Sequence, residues 1–131
     1  HSGCFEFDDR LKSSESLLQA DIMIADHGGS GIEFAFGLEK TVIWVATPPK
    51  IHNPGRDRIG LPLFEDSIRS ATGVEIATDR LEQLPETVRS IYGQTEAWKS
   101  RIAGLREKNI FNVGKSAEVM ADYIAGYAAA K

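Results

Sequence analysis

Ile22-Met23-Ile24-Ala25-Asp26-His27-Gly28-Gly29-Ser30-Gly31-Ile32-Glu33 is the stretch on which the fold turns. Its first four residues form a short, uninterrupted apolar run, the pattern of a strand buried on both faces. His27, the glycines and Ser30 break that run, and Gly31 to Leu38 then read as a helix. Beyond it, Thr41-Val42-Ile43-Trp44-Val45 is β-branched and aromatic, the strongest strand signal in the chain. Strand, glycine turn, helix and strand in that order predict a βαβ unit with parallel strands.

Upstream, Phe5 and Phe7 flank Glu6 and predict a short strand, and Ser13 or Ser14 can cap a short helix carrying Leu17 and Leu18. Downstream, Pro48, Pro49, Pro54 and Gly55 make residues 47–62 a loop long enough to be functional. A helix is expected over 63–71, a short edge strand over 74–77, and a helix capped by Asp79 over 80–91. Two more helices follow. One spans 95–108 and carries Trp98, Ile102 and Leu105; the other begins near Ser116 and places Val119, Met120, Tyr123, Ile124 and Tyr127 on one stripe. Trp44, Trp98, Tyr123 and Tyr127 are expected to pack in the core. The expected architecture is α/β, a Rossmann-like three-layer α/β/α arrangement with a short, mostly parallel sheet of about four strands.

The chain has 131 residues, 42% hydrophobic and 26% charged, which suits one globular domain over 1–131 with a core of its own. A formal net charge of -4 argues against general nucleic-acid binding, which needs clustered Lys and Arg. One loop departs from this balance: Lys50, His52, Arg56 and Arg58 gather after the second strand, against Asp57. They are candidates for phosphate or acceptor contacts, although a solvated surface loop is the simpler account of them. Cys4 is the single cysteine, so neither an intramolecular disulfide nor a thiolate metal site is expected. No carboxylate cluster has metal-ligand spacing, so no metal is expected. No run approaches the ~18 apolar residues that a membrane span needs.

Ligands of open parallel sheets bind beyond the carboxyl ends of the strands, which directs attention to the turn after Ala25. Gly28 and Gly29 allow the backbone a tight turn and close approach to a ligand. Free N–H groups at the helix start favour a phosphate. Ser30 adds a hydroxyl donor, His27 a ring N–H, and Glu33, one turn into the helix, a carboxylate suited to ribose hydroxyls. The same residues also fit a purely structural turn, with Ser30 as helix cap, Glu33 closing a capping box and Asp26 an Asx turn.

Read together, Ala20-Asp21-Ile22-Met23-Ile24-Ala25-Asp26, Glu33-Phe34-Ala35 and Lys40-Thr41-Val42-Ile43 resemble the donor-binding block of the CDP-glycerol glycerophosphotransferase family, whose members build teichoic-acid-type chains. The resemblance continues weakly through Arg58-Ile59-Gly60 and residues 66–73. It returns in Asn112-Val113-Gly114-Lys115-Ser116-Ala117-Glu118. Gly28 and Gly29 stand where that family usually carries hydroxyl residues, and Thr41 where it often has Pro. His27-Gly28-Gly29-Ser30 with Glu33 is also similar to the diphosphate- and ribose-binding block of UDP-sugar glycosyltransferases of the same two-domain GT-B fold.

Both resemblances imply the donor-nucleotide half of a GT-B enzyme, the C-terminal domain of two. His27, Ser30 and the backbone at Gly28 and Gly29 would hold the diphosphate and Glu33 the ribose. The donor would be CDP-glycerol or a nucleotide sugar, with no further cofactor. The resemblance further implies that the acceptor domain, usually the source of the catalytic base, lies outside this stretch, so no catalytic residue is assigned. An isolated piece is then expected to bind nucleotide weakly, to lack turnover and to self-associate. The location implied is cytoplasmic, peripheral to the inner membrane face for teichoic-acid enzymes. A UDP-sugar glycosyltransferase or UDP-sugar 2-epimerase is the nearest alternative. A complete flavodoxin-like binding or regulatory module is one of another class.

Overall fold

A computed structural model describes residues 5, 7–9, 14–48 and 55–129. Three strands, β1 (Ile22–Ala25), β2 (Thr41–Ala46) and β3 (Gly73–Ala77), form one parallel sheet in the order β1-β2-β3. The register sets Ile22 beside Thr41 and Ala25 beside Trp44, then Val42 beside Gly73 and Ala46 beside Ala77. The α/β, Rossmann-like class is as expected, with one strand fewer among the described residues. Phe5 and Phe7 join no strand and are exposed; Glu6 between them lies outside the described residues. Two aromatics beside the polar Asp8 and Asp9 bury too little apolar surface to hold an added strand.

Alternation along β2 divides the core into two layers. Val42 and Trp44 face one way with Ala25 and Met23, under α2 (Ser30–Leu38) and α3 (Phe64–Thr72). Ile43 faces the other way with Ile76 and Val74, under α4 (Leu84–Tyr92) through Leu84, Val88 and Ile91. Both crossover helices, α2 and α3, fall on the same face because strand order advances in one direction and parallel crossovers keep one hand. Burying large side chains such as Trp44, Phe34 and Ile43 contributes ~1.5–3 kcal/mol each.

Helix α5 (Thr95–Asn109) crosses from one layer to the other, giving Trp98 to the α4 side and Ile102 to the α2 side. Arg101 donates to the Ser70 carbonyl near the end of α3. Arg106 pairs with Glu39 at 2.6 Å and donates to the Phe36 carbonyl at the end of α2. Helix α5 therefore closes the edge of the sheet where the strands begin, and its partners on α2 and α3 lie at the ends of those helices. A short helix (Ser14–Gln19), named α1, precedes β1.

Two expectations are corrected. The helix drawn from Arg80 is a 3₁₀ turn over Thr78–Gln83 followed by α4 from Leu84. Pro85 explains the shift: its ring is tolerated only in a first turn, so the α-helix begins around it. Asp79 does not cap it. The last helix, α6 (Ser116–Ala129), has no buried residue, and Tyr123 and Tyr127, expected in the core, are exposed. By then α2, α3, α4 and α5 have already covered the apolar residues of β2, so its stripe meets no vacant part of the core.

Candidate functional site

The turn after β1 starts with an Asx turn, in which the Asp26 Oδ1 accepts the Gly28 N–H at 3.0 Å. His27 projects sideways toward the end of β2 and its Nε2 meets the Thr47 carbonyl at 2.5 Å. A carbonyl only accepts, so Nε2 carries the proton and donates. The tether fixes the ring between the ends of two strands and leaves Nδ1 for another partner.

Helix α2 begins directly after this turn. Gly29 is its N-cap residue, and no side chain makes a capping hydrogen bond. Ser30 is thus the first helical residue rather than the cap, and the capping-box alternative does not form. The Ile32 and Glu33 amides both turn to the Gly29 carbonyl at 3.0 Å. The earlier N–H groups precede any intrahelical acceptor, and the helix dipole concentrates positive potential around them. Gly29 and Ser30 are exposed, and a methyl group added at Gly29 would meet nothing within 4 Å. Glu33, in the first turn, is also exposed.

Gly31 serves a different purpose. A Cβ there would lie 2.5 Å from the Trp44 ring, which is 1% exposed. Its absence lets α2 settle directly on β2, the close helix-to-strand approach that a third glycine provides in nucleotide-binding turns. Trp44 is fixed in turn. Its indole N–H donates to the Thr72 Oγ1 at 3.2 Å, and the Arg69 guanidinium lies over its ring, 5.0 Å from the centroid. Arg69 is 6% exposed, 3.6 Å from the Glu75 carboxylate, and its Nε makes no hydrogen bond. Sequence reading missed this buried cation. The signal for it is faint: Arg69, Thr72 and Glu75 recur at three-residue intervals across a helix end, where charged residues usually face water.

The structure thus brings His27, Gly28, Gly29, Ser30 and Glu33 together on one turn and the helix it opens, at the carboxyl end of the sheet. Thr47 is an unanticipated member. The basic loop is another matter. Lys50 and His52 lie outside the described residues, as does the Arg56 side chain. Arg58 sits exposed on a 3₁₀ turn over Arg56–Ile59, followed by Gly60 in the left-handed region. Nothing described joins it to the turn after β1.

A cleft of about 270 Å³ lies at the opposite end of the sheet, between the starts of β1 and β2 and the helices α4 and α5. Several of its polar groups have structural partners. Lys40 donates to the Leu18 and Ala20 carbonyls, and Tyr92 donates to the Asp21 Oδ2 at 3.0 Å. The Asp21 carboxylate, through that hydrogen bond first and its charge second, raises the Tyr92 phenol above its ordinary value. Those bonds tie this end of the domain together, and the start of α5, with Glu96 and Lys99, completes its lining.

Among the described residues, no three His, Cys, Asp or Glu side chains gather into a metal-binding group, and no helix is long and apolar enough to cross a membrane. Comparison with family models, with curated proteins and with solved structures returns no match.

Proposed function

We propose that the chain is the donor-nucleotide-binding part of a glycosyl- or glycerophosphotransferase, of the CDP-glycerol type. One observation carries the reading. The uncapped start of α2, free of bulky side chains at Gly28 and Gly29, lies at the carboxyl end of a parallel strand beside a histidine held by a backbone carbonyl. A diphosphate placed there would accept from the first amides of α2, from the Ser30 hydroxyl and, once His27 is protonated, from its Nδ1–H. These donors are preorganised by the turn, so they stabilise a departing diphosphate without rearrangement. Glu33 would receive ribose hydroxyls. Transfer itself would need a base from elsewhere, and the location implied is cytoplasmic, at the inner membrane face for a teichoic-acid type of acceptor.

The glycines at 28 and 29 favour a second reading within the same chemistry, a UDP-sugar transferase or 2-epimerase. Isothermal titration with CDP, UDP and ADP separates them. CDP binding that weakens about tenfold in His27→Ala, the scale of one charge-assisted hydrogen bond, and also in Glu33→Ala supports the first reading. Preference for UDP supports the second. Folded protein that binds none of the three, or binding untouched by both substitutions, overturns the assignment of this turn.

A further inference from the structure

We infer that the cleft at the strand starts is a binding site for a free α-amino acid with an aliphatic side chain. The inference stands apart from the nucleotide reading, because this cleft and the turn after β1 lie at opposite ends of the sheet. Thr41 opens β2 beside Ile22 and is 4% exposed. Two residues before Ile43, it falls on the same face of the sheet, under α4, and lines the cleft. Among the described residues its hydroxyl has no hydrogen-bond partner. Buried polar groups are nearly always hydrogen-bonded. A buried hydroxyl that lines a cavity and bonds to no protein group offers its donor and acceptor positions to what enters.

The charges around the cleft select the occupant. Three are already engaged: Glu39 pairs with Arg106, Lys40 donates to two carbonyls, and Asp21 accepts from Tyr92. Two are not. Glu96 and Lys99, one turn apart at the start of α5, form no ion pair among the described residues, with each other or with any third group. A simple anion drawn to Lys99 would also meet Glu96, and a simple cation drawn to Glu96 would meet Lys99; like charges brought together cost affinity. One carboxylate and one ammonium at one mouth therefore suit a ligand carrying one charge of each sign. Side chains three residues apart on a helix stand about 5–6 Å from each other at Cβ, within reach of the adjacent ammonium and carboxylate of an α-amino acid. At about 270 Å³ the cleft lies at the small end of ligand pockets, which suits a molecule of that size better than a nucleotide. In the bound arrangement Glu96 accepts from the ligand ammonium, Lys99 and the Thr41 hydroxyl donate to its carboxylate, and its side chain rests on Ile22, Leu38 and Ile91.

Isothermal titration of the full chain with leucine, leucinamide and N-acetylleucine tests this. Leucine should bind, and the amide, which lacks the carboxylate, and the acetyl derivative, which lacks the ammonium, should each bind about tenfold more weakly or worse, the scale of one charge-assisted hydrogen bond. Glu96 and Lys99 are exposed, so their substitution leaves the fold intact. Glu96→Gln should weaken leucine and remove the preference for leucine over N-acetylleucine alone. Lys99→Met should remove the preference over leucinamide alone, a crossed pattern that a general loss of structure does not give. Thr41→Val keeps the shape and deletes the hydroxyl. It should weaken leucine while the urea midpoint of the ligand-free protein holds or rises. Folded protein that binds none of leucine, isoleucine and valine overturns the inference. So does equal binding of leucine and its two derivatives, or leucine binding untouched by Glu96→Gln and Lys99→Met.

Discussion

The sheet with helices α2 and α3 and, by contrast, the helix α6 all carry apolar residues in a regular pattern, and only the sheet and its helices bury a core of them. In the former, Trp44 touches Gly31, Thr72 and Arg69 at once, so each residue is held by several others distant in sequence. In α6 the pattern is equally regular and every apolar side chain on the stripe faces outward. Periodicity specifies which residues share a face. What covers that face is decided by the strands and helices already in place, and here the sheet layers are filled before α6 begins.

The sharpest way to break this contrast is to add one methyl group in the packed region. Gly73 opens β3 with extended backbone, yet a Cβ there would stand 1.6 Å from the Val42 carbonyl oxygen of the neighbouring strand. The obstacle is backbone in the sheet ladder, so a rotamer change cannot relieve it. Gly73→Ala should cost ~3 kcal/mol or more, read as a lower urea midpoint at unchanged slope. A loss below about 0.5 kcal/mol, the range of ordinary surface substitutions, would mean that β2 and β3 are no more tightly held than α6.

Arg69 tests the contrast from within the buried region. Its guanidinium is desolvated, its ion pairs with Glu75 and Asp66 are long at 3.6 and 3.9 Å, and both carboxylates are half exposed. Such a pair recovers little of what desolvation costs. Arg69→Met keeps the stem over Trp44 and removes the charge and the unpartnered Nε. Stability should stay the same or rise by up to ~1 kcal/mol. A marked loss in urea denaturation would show that the cation holds Trp44, and through it Gly31 and the α2 start, by charge rather than by packing.

Legibility followed the same division. The apolar run at 22–25 and the β-branched run at 41–45 need no outside information, because an unbroken apolar stretch of this length is a strand signature, and both strands stand within a residue of expectation. Burial on both faces holds for β2 alone, since β1 lies at the sheet edge with Ile24 half exposed. The turn between them was readable as a candidate site from its glycines and its place after a strand. Its two alternatives were not separable, since Ser30 as cap and Ser30 as first helical residue have the same sequence; only the backbone of Gly29 distinguishes them. The tie from His27 to Thr47 spans twenty residues and depends on strand register, which one chain does not reveal. Tyr123 and Tyr127 were misplaced because amphipathicity is local and coverage is not.

Tyr92 gives the smallest expected effect and the finest test, because it is exposed yet tied by its hydroxyl to the start of a strand. Its hydroxyl donates to Asp21, seventy-one residues away, and joins the end of α4 to the entrance of β1. The nearby carboxylate raises the phenol above its ordinary value, so folding favours the protonated form. For a group whose folded value is raised, the contribution is complete below the unfolded value of about 10 and is lost as pH rises through the folded one. Tyr92→Phe should therefore lower the urea midpoint slightly at neutral pH. The deficit should close in alkaline solution, where the wild-type phenolate faces the Asp21 carboxylate and the variant has nothing to ionise. If the deficit is instead the same at neutral and alkaline pH, the hydroxyl contributes nothing through Asp21.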